Sequence, residues 1–158
     1  MNAKRALPFL AAMVLCLEFS SRVFAANCVT DLAVDVTLCS DGTATIMQTW
    51  DTSFADGTEC YFPVTNLGEM TIDNLIVSDE SGRYQTMESW DLEASFEEKA
   101  GKCGLHPING GYEVVWGLSR YGSNRYCVEY RLGGLVTSYS DYDGFLFQFV
   151  PSNMGTLP

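Results

Sequence analysis

From Val34 onward, apolar and polar residues alternate with a period of two, and the alternation breaks at turn sequences rich in Asp, Asn and Gly. Successive side chains of a β-strand point to opposite faces, so this period buries one face and leaves the other in water. Val34, Val36 and Leu38 alternate with Asp35, Thr37 and Cys39, and Ser40-Asp41-Gly42-Thr43 then predicts a hairpin into a strand over 43–51. Asp-Gly suits that turn because tight hairpins need φ > 0, which glycine reaches without a Cβ clash. A second Asp-Gly, Asp56-Gly57, leads into a strand over 59–64. Met70 to Val77 reads as another strand, followed by the turn Asp79-Glu80-Ser81-Gly82 and an extended piece from Arg83 to Trp90.

The pattern strengthens after Asn109-Gly110-Gly111. Tyr112, Val114 and Trp116 share one face, Tyr121-Gly122-Ser123-Asn124 turns the chain, and Tyr126, Val128, Tyr130 and Leu132 share a face on the return. Gly133-Gly134 breaks the run, Leu135 to Tyr139 resumes it, and Phe145, Phe147 and Phe149 predict the core face of a closing strand. Only the stretch 91–102 has helical character, with Asp91, Glu93, Glu97 and Glu98 preceding Lys99 and Lys102 in the order a helix dipole favours. Its apolar content is thin, so a short helical turn and a loop excursion fit equally well. Many short strands with almost no helix predict an all-β chain folded as an antiparallel β-sandwich.

The first 25 residues have the form of a secretory leader. Lys4 and Arg5 precede an apolar run from Ala6 to Leu17, and Val23-Phe24-Ala25 places small residues for cleavage after Ala25. The apolar run is shorter than the roughly 20 residues that cross a bilayer, and Glu18 and Arg22 interrupt its end. The expectation is an exported, secreted or extracytoplasmic protein with one domain over 26–158 and no transmembrane span in the mature chain. Removal of the leader leaves six Lys and Arg against 19 Asp and Glu, a net charge of −13. Phosphate backbones are bound by clustered cations, so neither nucleic acid nor an anionic membrane surface is expected as a partner.

Asp141-Tyr142-Asp143-Gly144 invites a calcium reading, but Ca²⁺ takes about six to eight oxygens. Gly144 to Val150 adds only Gln148 as a further side-chain oxygen. Asp and Gly are also what a turn needs for its own hydrogen bonds and angles, and a turn is the expectation here. No cofactor is expected.

The strings Tyr112-Glu113-Val114-Val115-Trp116-Gly117, Tyr126-Cys127-Val128-Glu129-Tyr130, Gly134 through Asp141 and Phe145 to Phe149 resemble the extracytoplasmic N-terminal domain of an uncharacterised bacterial family of predicted membrane proteins. Val34 to Leu38 with Ser40-Asp41-Gly42-Thr43 is similar to that family's first hairpin. The resemblance covers most of residues 30 to 150 and implies a sandwich outside the membrane, followed by a transmembrane helix. This sequence instead stops at Pro158 with no second hydrophobic span, which points to a stand-alone secreted form or to a domain whose closing strands lie further on. The family brings no catalytic residues, so the resemblance bears on fold and location only.

Cys28, Cys39, Cys60, Cys103 and Cys127 remain after the leader, an odd number that allows at most two intrachain disulfides. Zinc is disfavoured because no Cys-x-x-Cys spacing occurs and His106 is the only histidine. A nucleophilic triad needs an imidazole, and His106, beside Pro107 in an expected loop, is the single candidate. Carboxylate pairs such as Asp79-Glu80 and Glu97-Glu98 read as solvated surface.

The expected function is therefore a non-catalytic interaction or structural module at the cell envelope, with a protein or glycan as partner. A carbohydrate-binding module is the second reading, with Trp90 in the irregular middle region as the ligand-binding aromatic; Trp116, on a strand face, is expected in the core. A small hydrolase built on loop carboxylates is the third.

Overall fold

A computed structural model describes residues 27–151. The expected leader and the cleavage site after Ala25 lie outside the described residues. The chain is all-β, and its two main sheets pack face to face. The first holds β1 (Cys28–Leu38), β2 (Ala44–Phe54), β9 (Gly122–Gly133), β4 (Thr71–Asp79) and β5 (Gly82–Arg83), in that spatial order. The second holds β3 (Glu59–Thr65), β8 (Gly111–Gly117), β7 (Lys102–Ile108) and β6 (Gln85–Met87). A small hairpin, β10 (Thr137–Ser138) with β11 (Asp143–Gly144), follows.

The period-two pattern sets the register. Ala44, Ile46, Gln48, Trp50, Thr52 and Phe54 all face inward from β2, opposite Leu132, Tyr130, Val128, Tyr126, Asn124 and Gly122 of β9. Trp50 stacks on Phe62 of β3 at 5.3 Å between ring centroids and meets the edge of Trp116 of β8 at 5.7 Å. These rings join the two sheets, and each fully buried large apolar side chain contributes roughly 1.5–3 kcal/mol. Trp116 is in the core, as its strand face predicts. On β4 the register shifts between Asp73 and Ile76, where Asn74 has φ 54, so that Leu75 and Val77 turn inward.

Three expectations are corrected. Residues 102–108 form β7 rather than a loop, because Cys103 and Leu105 pair with Trp116 and Val114 across an antiparallel ladder. The sheets are not wholly antiparallel, since β6 pairs with β7 in parallel after the excursion brings the chain back in the same direction. The closing strand is absent among the described residues: Phe147 and Phe149 pack against the core, but 145–150 runs as irregular chain with Leu146 fully exposed. The hairpin turn spans 139–142, with the Tyr139 N–H donating to the Tyr142 carbonyl at 2.8 Å, so Asp141 and Tyr142 lie in the turn and Asp143-Gly144 in the strand β11 that leaves it.

The excursion contains one helical turn, α1 (Phe96–Lys99). Ser95 Oγ accepts from the Glu98 N–H, and the Glu98 carboxylate accepts from the Ser95 N–H, a reciprocal cap that satisfies otherwise orphaned donors. The turn packs on the outer face of the second sheet at Gly117, where any Cβ would strike the Lys99 carbonyl oxygen.

Candidate functional site

Three places concentrate chemistry or exposed apolar surface. The first is the anchor of the excursion. Lys99, almost fully buried, places Nζ 2.9 Å from Glu59 Oε2 and donates to Thr58 Oγ1 and the Leu92 carbonyl. The indole N–H of Trp90 donates to the same Glu59 oxygen at 2.7 Å. The expected exposure of Trp90 is thus corrected: it is 9% exposed, and its ring lies against Gly104 of β7. No flat face of Trp90 is offered to a sugar. This cluster satisfies every donor of its ammonium group and reads as a staple.

The second place closes one end of the sandwich. Asp79, expected as solvated surface, is instead a hub. One carboxylate oxygen accepts from Tyr84 O–H at 2.9 Å, Ser119 O–H at 2.5 Å and Asn124 Nδ2 at 3.1 Å. The other accepts from the backbone and hydroxyl of Ser81. Partial burial pushes the Asp79 carboxyl up, but the hydrogen bonds from Ser119, Ser81 and Asn124 outweigh it and hold the group far below the usual carboxylate range. The Ser119 hydroxyl is committed as a donor to this carboxylate. Around the hub, Arg120 pairs with Glu80, and Arg125 forms a two-pronged pair with Asp51 at 2.6 and 2.7 Å.

His106 lies on the outer face of β7, directly opposite Glu113 of β8, with Pro63 of β3 next in the row. No serine or cysteine shares that row, so the triad geometry is missing there.

The cysteines are spread rather than paired. All five thiols are free, which corrects the expectation of disulfides among the described residues. Cys60 and Cys103 flank Trp116 on either side in register. Two strand spacings put their Cα atoms about 10 Å apart, beyond the roughly 7 Å limit for a bridge. Burial pushes both thiols up, well above the ordinary cysteine value for Cys60. Cys127 sits opposite Thr49, whereas Cys28 sits opposite Ser53, four residues or about 13 Å along β2. Cys39 lies beyond the end of β1, at the hairpin.

The third place is one open side of the sandwich. Because Trp50 of β2 already stacks on Phe62 of the edge strand β3, β1 projects beyond the second sheet. Its inward residues become steadily less covered along the strand: Leu32 and Val34 are half-buried, Val36 is 36% exposed and Leu38 is 49% exposed. The segment 145–151 lies alongside β3 across a cleft of about 530 Å³ lined by Pro63, Thr65, Leu146 and Pro151. It is held by Gln48, whose buried amide donates to the Phe149 carbonyl at 3.0 Å and accepts from the Trp50 indole at 2.9 Å. Phe145, Leu146 and Val150 remain exposed on it, next to the stacked and exposed Tyr139 and Tyr142. Alternation alone does not reveal this side, because it marks which residues face inward and not whether a second layer reaches them.

The described residues contain no group of three or more His, Cys, Asp or Glu side chains arranged to hold a metal ion, and no helix long and apolar enough to cross a membrane. In comparisons with known proteins, no family model, no curated protein and no solved structure matches the chain.

Proposed function

We propose that this chain is an exported, non-catalytic β-sandwich that acts by binding another macromolecule at the cell envelope. The observation that carries this reading is the open side: Val36, Leu38, Phe145, Leu146 and Val150 stay exposed on one flank of an otherwise well-filled core. Exposed apolar surface of this kind marks interaction sites. The reactive groups point the same way, since Lys99, Glu59 and Asp79 are committed to internal contacts. The extracytoplasmic setting rests on the leader-like first 25 residues and on the resemblance to extracytoplasmic domains of bacterial membrane proteins.

The test is site-specific photo-crosslinking in intact cells. A crosslinker at Leu38 or Leu146 is expected to give a discrete adduct that one at Glu88, an exposed site near the excursion, does not. Adducts at no position, together with hydrolytic activity lost on a single carboxylate substitution, would replace this reading with the hydrolase.

A glycan partner is favoured by one observation, although not through Trp90. Tyr139 and Tyr142 stack at 4.7 Å, are more than half exposed and border a cleft of about 530 Å³ with Glu69 and Phe145. Tyr142→Ala would reduce retention on a polysaccharide column if this surface stacks on sugar rings.

A further inference from the structure

Four strands end the two main sheets, and they differ in how their free edges are guarded. β5 and β6 are two and three residues long. β3 carries Pro63, which has no N–H to offer, and the segment 145–151 lies beside it. β1 is 11 residues long and contains no proline, lysine or glycine. Its only irregularity is the bulge between Val29 and Asp31, so Leu32 to Leu38 is a regular edge whose single charged residue is Asp35. Among the described residues, β2 is its only ladder partner, and no other backbone hydrogen bond reaches Leu32 to Leu38. Alternate residues of such an edge present free N–H and C=O groups, the template for an added strand.

The two faces of β1 specify what that strand carries. On the inward face Val36 and Leu38 lack cover, and apolar side chains of a neighbouring strand would supply it. On the outward face Asp35 forms no ion pair among the described residues, and its row continues through Met47 to Glu129 with no cation. A second copy of this chain paired antiparallel about Asp35 would set Asp35 against Asp35, which is unfavourable for like charges directly opposite. The acidic chain as a whole adds to that repulsion.

We infer that the edge of β1 from Leu32 to Leu38 receives an extended segment of a partner protein in which apolar residues alternate with Lys or Arg, added as a further strand of the first sheet. This rests on the binding reading given above and names the partner for part of its open side. Main-chain hydrogen bonds supply affinity in this mode, and the alternating side chains supply selectivity.

The experiment uses the full exported chain and three nine-residue probes at one ionic strength: alternating Lys and Val, alternating Glu and Val, and a peptide with the lysines and valines grouped. The alternating Lys peptide is expected to bind and to slow amide exchange within Leu32 to Leu38 at least tenfold, while the grouped peptide does neither. Asp35→Lys is expected to weaken the Lys peptide at least tenfold and to confer binding of the Glu peptide. Equal binding of grouped and alternating peptides would overturn the proposal by reducing it to bulk charge attraction. Protection, before any peptide is added, of the alternate β1 amides that point away from β2 would overturn it too, with sedimentation telling a dimer from cover by the chain itself. If no peptide binds while crosslinks from Leu38 persist in cells, strand addition falls and the binding reading stands; if both fail, both fall.

Discussion

Lys99 Nζ lies 2.9 Å from Glu59 Oε2 on the outer face of the second sheet, and the Trp90 indole donates to that same carboxylate oxygen. One oxygen thus ties together β3, α1 and the stretch between β6 and α1. The pair is nearly dry, with side-chain exposures of 4% for Lys99 and 17% for Glu59. Its strength in holding the excursion is measurable because removing either partner leaves the other poorly compensated.

Lys99→Ala is expected to cost about 3 kcal/mol, the usual result of breaking a buried pair from one side. Glu59→Gln combined with Lys99→Met should recover most of that loss. Denaturant midpoints at unchanged slope would check both, and a single variant as stable as the parent would show the pair to be dispensable.

Asp79→Asn removes the charge and replaces with an NH2 donor one of the two oxygens that together accept five hydrogen bonds, and its effect depends on pH with a definite sign. The folded-state carboxyl is depressed below its ordinary value of 3.8. Its contribution is therefore fully present well above pH 3.8 and is lost as pH falls through the lower folded value. Thermal midpoints should separate parent and variant widely at pH 6 and less at pH 3. A constant gap would mean that Asp79 acts through shape alone.

Thiol labelling should divide the cysteines. Cys39 and Cys127 are exposed and should react with a maleimide in the native protein, whereas Cys60 and Cys103 are buried, with thiols pushed up by burial, and should react only after unfolding. Intact mass after a timed pulse reads the number directly. Oxidation should yield no Cys60–Cys103 bridge, given their separation across β8.

Gln48→Leu should release the segment that follows β11. The buried amide is its hydrogen-bonded link to β2, and the substitution leaves the Trp50 indole N–H unpartnered as well. A loss of about 1–3 kcal/mol is expected from the orphaned donor. Limited proteolysis should then cut between residues 145 and 151 faster than in the parent, while β2 and β9 stay intact.

Much of the architecture was legible because alternation and turn chemistry are local. Val34-Val36-Leu38, the Asp41-Gly42 turn and the Tyr126 to Leu132 face each follow from side chains a few residues apart. β7 was missed because Gly104 and Pro107 interrupt its pattern and its pairing comes from β8. The sites were barely legible. Glu59, Trp90 and Lys99 span 41 residues, and Asp79 at the end of β4 meets Ser119 and Asn124 from 40 and 45 residues further along the chain.

The sequence by itself determined an all-β chain, the main turns, the inward faces of its strands and a strong acidic bias, since these depend on local backbone preference and composition. Only the tertiary structure decided that Trp90 is covered, that the five cysteines among the described residues stay unpaired and that β1 overhangs the second sheet. Burial and pairing are properties of what arrives from elsewhere in the chain, and period two carries no record of the neighbour.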